Sequence, residues 1–386
     1  MSTVSTLPPA PTVDSPPVER PHRRPKASSN DVLEVASSAV SSLAFVWVVF
    51  SVAGLDAPFG LLLCSFLTFL LVYGTLSRVR HGALVMKNRL GTIFVWSGGL
   101  VAMVPLFLII GWLLVRGAPV VFSHFPHYIT HDAATAGAEQ PTWTAGVGAA
   151  IVGTVEQVGL ATLVACPIAV LTATFLNESR SGYSKVVRLV VDAMTGTPEI
   201  IAGLFVYLLW VQPHHTSGKS GAAAAAALAV MMLPFVTRGA QEVLRTVPGS
   251  LREAGMALGA PHWRLTLRVM LPTARVGLVT VAILGVARAV GETAAVLFNA
   301  GGSANAHFNW NPFHGNQLDL PLYVLQLAQS APANQVKEAW GGALVLVFFV
   351  LGLFALTRIL GSGMPRGPRF SRFLLPPWRR LSADSQ

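Results

Sequence analysis

Glu253-Ala254-Gly255-Met256-Ala257-Leu258-Gly259, with Pro272 thirteen residues beyond the last glycine, lies in the longest basic, hydrophilic segment of an otherwise apolar chain. Just ahead of it, Ser250-Leu251-Arg252-Glu253 has the spacing of a capping box, in which Ser250 caps a helix and Glu253 reaches back to it. Leu251, Ala254 and Leu258 follow one another at intervals of three and four, which makes a single apolar stripe. Gly259 is placed to end the helix in a left-handed conformation. Pro261 suits the first turn of a second short helix, which Leu271-Pro272 is expected to close. The segment therefore predicts two short helices meeting at a glycine bend, with basic flanks from Arg252, Arg264 and Arg268. A plain connecting hairpin is the alternative, but residues 237–276 make a long connection, and long loops are usually functional.

The surrounding composition sets the class. Of 386 residues, 53% are hydrophobic and only 11% charged, and the mean hydropathy is +0.58. Soluble domains carry roughly 25% charged residues, so this chain is a polytopic membrane protein. Eight apolar segments are long enough to cross a bilayer, at about 35–53, 59–76, 93–115, 146–176, 190–211, 220–236, 277–300 and 338–360. The fourth is too long for one straight span, so part of it is expected to tilt or lie in the interface, and Pro167 is a candidate kink. Cys64 and Cys166 each sit in an apolar stretch and read as small packing residues.

Charge fixes the orientation. With the N-terminus inside, 23 of the 27 Lys and Arg fall in segments assigned to the cytoplasm, which also places the C-terminus there. The net charge of +10 is explained by that asymmetry, and no nucleic-acid partner is expected. The outer loops, 116–145 and 300–335, carry Trp143 and Trp310, which read as interfacial anchors or as docking surface. No nucleotide motif is present. Around Gly218-Lys219-Ser220 the glycine a phosphate-cradling loop requires is Pro213, and the neighbouring His214-His215 pair lacks further metal ligands.

Within the seventh span, Arg288 and Glu292 are four residues apart and share one helix face. Charges at membrane depth normally face a bundle interior or an aqueous path, and a guanidinium suits a tetrahedral oxyanion. An intrahelical ion pair that pins packing is the plainer reading. Glu156, in the outer half of the fourth span, either lines the path or hydrogen-bonds a neighbouring helix as the neutral acid. Gly196-Thr197-Pro198 is expected to break the fifth span, with Thr197 as cap and Pro198 as first helical residue. Glu199 beside it would repel an anion. The alanine run 222–227 reads as a surface for close helix packing.

The loop resembles the signature of ABC-importer permeases: Glu-Ala-Ala, three residues, Gly, nine residues, then an aliphatic, any residue, Leu-Pro. Glu253, Ala254, Gly259, Val269, Leu271 and Pro272 fall on it in register, with Gly255 where the second Ala is usual. In that family the bend docks on an ATP-binding subunit, which implies a coupling role for Ser250, Glu253, Ala254, Gly259, Leu271 and Pro272. Ala287-Arg288-Ala289-Val290-Gly291-Glu292-Thr293-Ala294 resembles the phosphate-importer branch, PstA-type. Ile151-Val152-Gly153-Thr154, Gly196 to Phe205, Leu320-Pro321-Leu322-Tyr323 and Ala339-Trp340 agree. Ala295 stands where the family commonly has Pro, so the helix is expected to run on with less of a kink.

The resemblance implies an all-α type I importer permease core of about six spans plus two extra N-terminal spans. It divides the chain into a disordered tail 1–34, added spans 35–84, a permease domain 85–360 and a cytoplasmic tail 361–386. It further implies a subunit in the bacterial plasma membrane that carries inorganic phosphate, with Arg288, Glu292 and Glu156 along the path. The expected partners are a PstC-type second permease, two PstB-type ATP-binding subunits, a PstS-type external phosphate-binding protein and membrane lipid. ATP and Mg would be used by the partner ATPase, with no cofactor, metal or catalytic residue in this chain. Another oxyanion (sulfate, molybdate or phosphonate), a secondary transporter or channel, and a phosphate-sensing scaffold are the alternatives.

Overall fold

A computed structural model describes residues 29–132, 146–179, 181–303 and 307–363. Seven of its helices are long and apolar enough to cross a membrane, and a bent helix pair brings the number to eight. Such segments become helices in lipid because a helix satisfies its own backbone hydrogen bonds. The chain forms two compact units, Met1–Leu106 and Phe107–Gln386.

The first unit contains α1 (Ser29–Ala53), α2 (Pro58–His81) and the start of α3 (Ala83–Ser123). Helix α1 begins at Ser29, so residues 29–34 belong to the helix and not to the expected tail. The remaining expectation for that tail falls on residues outside those described. Along α1, Glu34, Ser38, Ser42 and Val46 are buried at every fourth position. Small side chains at that spacing let α2 approach closely, since apolar area alone gives no preference between lipid and helix. At one end Glu34 accepts hydrogen bonds from Arg80 and Arg89, both at 2.9 Å, and Arg89 also pairs with Asp31.

The second unit holds the rest of α3, α4 (His127–Thr130), α5 (Gly148–Glu178), α6 (Gly182–Thr195) and α7 (Glu199–Val206). After them come α8 (Gly221–Arg245), α9 (Gly249–Ala257), α10 (His262–Leu265), α11 (Leu271–Val290), α12 (Leu320–Ala328) and α13 (Ala333–Gly363). Helix α5 is continuous over 31 residues with Pro167 inside it. Its Ala161, Ala165, Ala169 and Ala173 are essentially fully buried, as are Ala223, Ala224 and Ala227 of α8. The alanine run therefore does what its composition suggests, bringing two helix backbones together.

Two departures bear on function. The fifth apolar segment breaks at Gly196-Thr197-Pro198 as expected, α6 and the helical stretch Glu199–His214 meeting at 106°, but its capping differs. Pro198 takes the cap position of α7, while the Thr197 hydroxyl donates back to the Ala193 carbonyl at 3.0 Å, so Thr197 is not the cap. The seventh span also ends early. Helix α11 stops at Val290 with Gly291 as its cap, and residues 291–300 form turns, so the expected continuation past Ala295 does not occur.

The segment after these turns is built into the unit. Ser220 N–H donates to Asn299 O at 3.0 Å, and Leu320 N–H donates to Thr154 Oγ1 at 2.8 Å. Asp319 caps α12 by accepting from Leu322 N–H at 3.2 Å, and burial pushes its carboxyl up to about 7. A Cβ on Gly153 would fall onto the Leu318 carbonyl oxygen. Gly153→Ala is therefore expected to lower stability by about 1–3 kcal/mol, because rigid backbone has to move aside. The measurement is the thermal midpoint in detergent, and an unchanged value would contradict the contact.

Candidate functional site: an arginine cleft and a glycine elbow

Within the 237–276 segment the chain forms the short helix α9, a bend, and α10, which opens a longer helix. Gly259 adopts φ +74°, the left-handed conformation that glycine reaches without steric cost. Around it, Ala260 N–H donates to Gly255 O at 3.1 Å and Gly259 N–H to Met256 O at 2.9 Å, closing the end of α9. A Cβ on Gly255 would strike Leu265 Cδ1. The departure from the usual alanine is thereby explained: α10 packs its buried Leu265 into the space that the missing methyl leaves.

The expected capping box is absent. Helix α9 starts at Gly249 with Pro248 as its cap, and no side chain caps it, so Ser250 lies inside the first turn. Leu271-Pro272 does not close α10 either. A π-turn over Thr266–Met270 leads straight into α11, giving one apolar helix from His262 to Val290. The wider turn accommodates Pro272, which has no N–H to continue the α-helical ladder.

No residue of α9 is buried. Its Ala254 and Met256 are exposed, as is Leu258 at its cap, at 88%, and Trp263 and Leu267 extend the apolar surface. Glu253 is exposed on the same short helix. Arg252 pairs with Glu178, the last residue of α5, and so ties the elbow to a long span.

The second constellation lies in a cleft of about 920 Å³, lined by Thr197, Pro198, Glu199, Phe235 and Arg288 among others. Arg288 stands in the last turn of α11, and its Nη2 bonds Glu199 Oε1. Its guanidinium carbon lies 5.6 Å from the centre of the Phe235 ring. The pair is half-exposed, 48% for Arg288 and 40% for Glu199. Glu292 is not its partner. Beyond the helix end, the Glu292 carboxylate is largely buried and accepts from Ala294 N–H at 3.2 Å within its own turn.

Glu156 is half-buried and receives the side-chain amide of Gln317. Gln317 also donates to Asn309 O at 3.1 Å, so Glu156 helps hold the 301–319 segment. Its partner is a loop residue and not, as expected, a neighbouring helix. Glu199 and Phe235 are the residues that the sequence left out of the site. The one signal in the sequence is Glu199 itself, a carboxylate directly after the Gly196-Thr197-Pro198 break.

Residues 165–366 match the family described as "Binding-protein-dependent transport system inner membrane component". Over 268 residues the chain is 37% identical to the phosphate transport system permease protein PstA 1 of Mycobacterium tuberculosis (strain CDC 1551 / Oshkosh), covering 69% of this chain and 85% of that one. The phosphate transport system permease protein PstA of Xylella fastidiosa (strain 9a5c) is 39% identical over 230 residues, or 58% of this chain and 78% of its own. A probable phosphate transport system permease protein PstA of Methanocaldococcus jannaschii is 30% identical over 285 residues, 73% of this chain and 97% of its own.

Proposed function

This chain belongs to the binding-protein-dependent transport system inner membrane components, among the PstA-type permeases, and from that membership we propose that it forms half of the translocation pathway of an ATP-driven inorganic phosphate importer. The observation that carries the proposal is Arg288, a cation on a transmembrane helix opening into a cleft. A planar guanidinium offers a tetrahedral oxyanion two parallel charge-assisted bonds. The relatives' shared designation supports phosphate as the anion.

In this reading the elbow from α9 to α10 faces the cytoplasm, as do both termini. It docks its exposed Leu258 surface on one of two ATP-binding subunits, PstB-type. Those partners use ATP and Mg, and this chain makes or breaks no bond itself. A PstC-type permease supplies the other half of the path, and a PstS-type protein delivers phosphate from outside. ATPase closure moves the elbow, α11 follows as the continuation of α10, and the cleft around Arg288 changes the side to which it opens.

Competition decides the substrate. Uptake of labelled phosphate in cells carrying the importer should resist excess sulfate and molybdate and be abolished by unlabelled phosphate. Stronger competition by sulfate would overturn the substrate assignment, and uptake by this chain alone without ATP would overturn the class.

A further inference from the structure

The Arg288 cleft already contains an anion, and that anion is part of the protein. We propose that Glu199 is an exchangeable carboxylate that occupies the Arg288 anion site between transport events and is displaced by the arriving phosphate. The inference rests on the reading of Arg288 as the anion-binding group.

Four observations support an exchange rather than a permanent staple. First, the pair lines the cleft and is half-exposed there, so the packing of this chain does not seal it in. An exposed ion pair biases an equilibrium by no more than about fivefold, which a doubly charged anion can overcome. Second, contact runs from one guanidinium nitrogen, Nη2, to one carboxylate oxygen, Oε1. That arrangement falls short of the bidentate bonding that the fork can offer an incoming anion. Third, each charge is stabilised locally without the other. Arg288 is in the last turn of α11 and Glu199 in the first turn of α7, where the helix ends favour a cation and an anion respectively. The Phe235 ring supports the guanidinium on its own account.

Fourth, the backbone that carries Glu199 is held by other contacts. Asn299 Nδ2 donates to Gly203 O and Ala295 O, both at 2.9 Å. A Cβ on Gly203 would come within 2.7 Å of the Ala295 Cα, so α7 and the turn beyond α11 are already in backbone contact. The ion pair is thus not needed to position α7, and opening it leaves the cleft walls in place.

The test is equilibrium binding of labelled inorganic phosphate to the purified permease and ATPase complex, without the external binding protein and without nucleotide. Glu199→Gln is expected to bind phosphate about two- to fivefold more tightly than wild type, since the internal competitor is gone. Glu199→Asp, which keeps the charge, should return the affinity toward wild type. Glu199→Ser repeats the neutral test if the glutamine variant does not assemble. Affinity that is unchanged or weaker in an assembled neutral variant overturns the proposal, as does an aspartate variant that behaves like glutamine. A purely structural role would reduce assembly and would not tighten binding. If the wild-type complex prefers sulfate, the phosphate assignment fails, while the variant-to-wild-type ratio measured with sulfate still tests Glu199.

Discussion

Glutamine in place of Arg288 is expected to reduce phosphate uptake by about two orders of magnitude, the scale of losing the charge-assisted hydrogen bonds that a guanidinium offers an anion. The chain should still reach the membrane in normal amount. Helix α11 is fixed along its length by Ala274, Gly285, Ala287 and Ala289, which are buried without reference to the guanidinium. What disappears is the cation that the cleft presents, and with it the planar fork able to hold two oxygens of a tetrahedral anion. Arg288→Lys separates these contributions. A lysine keeps the charge but offers a point donor, so it should restore only part of the rate. The measurement is initial uptake of labelled phosphate, normalised to chain in the membrane by immunoblot. Wild-type uptake by the glutamine variant would remove Arg288 from the path altogether. Combining it with Glu199→Gln should not rescue transport, because taking away the competitor does not supply a cation.

The spans were legible because lipid leaves the backbone one local solution, and a long apolar run forces it. The bend at Gly259 was legible for a related reason: a glycine after an apolar stripe and before Pro261 marks a left-handed stop. Three features were hidden. A capping box requires Ser250 to stand outside the helix, and Pro248, extended at φ −57° and ψ 131°, caps a helix that starts two residues too early for that. A Leu-Pro pair ends most helices, but the π-turn ahead of Pro272 absorbs the missing donor and lets the helix continue. The third is the ion pair. Spacing of four puts Arg288 and Glu292 on one face only while the helix lasts, and it stops at Val290. The actual partner, Glu199, is 89 residues distant in the chain. It reaches Arg288 only because α7 leaves the break at 106°. The sequence marks that break, and even marks Glu199 as hostile to an anion, yet no local pattern brings the two charges together.

Gly259→Val should abolish uptake through the bend itself. With φ at +74°, a β-branched residue is forced either to pay for the left-handed region, roughly 1–2 kcal/mol, or to leave it. Space is not the obstacle, since an added Cβ at this position meets nothing within 4 Å. The strain is too small to unfold the permease but large enough to redirect α10 relative to α9. That shift would move Leu258 and Trp263, the exposed apolar residues flanking the bend, out of register with the ATP-binding subunit. Two readouts follow: less ATPase retained on the purified permease, or ATP hydrolysis that continues without phosphate movement. Gly259→Asn distinguishes conformation from size, because asparagine enters the left-handed region more readily than valine. It should retain a substantial part of the uptake. Normal transport by the valine variant would show that the elbow does not couple ATPase closure to α11. Equal loss in both variants would mean that any side chain here obstructs the partner, placing Gly259 at the contact itself.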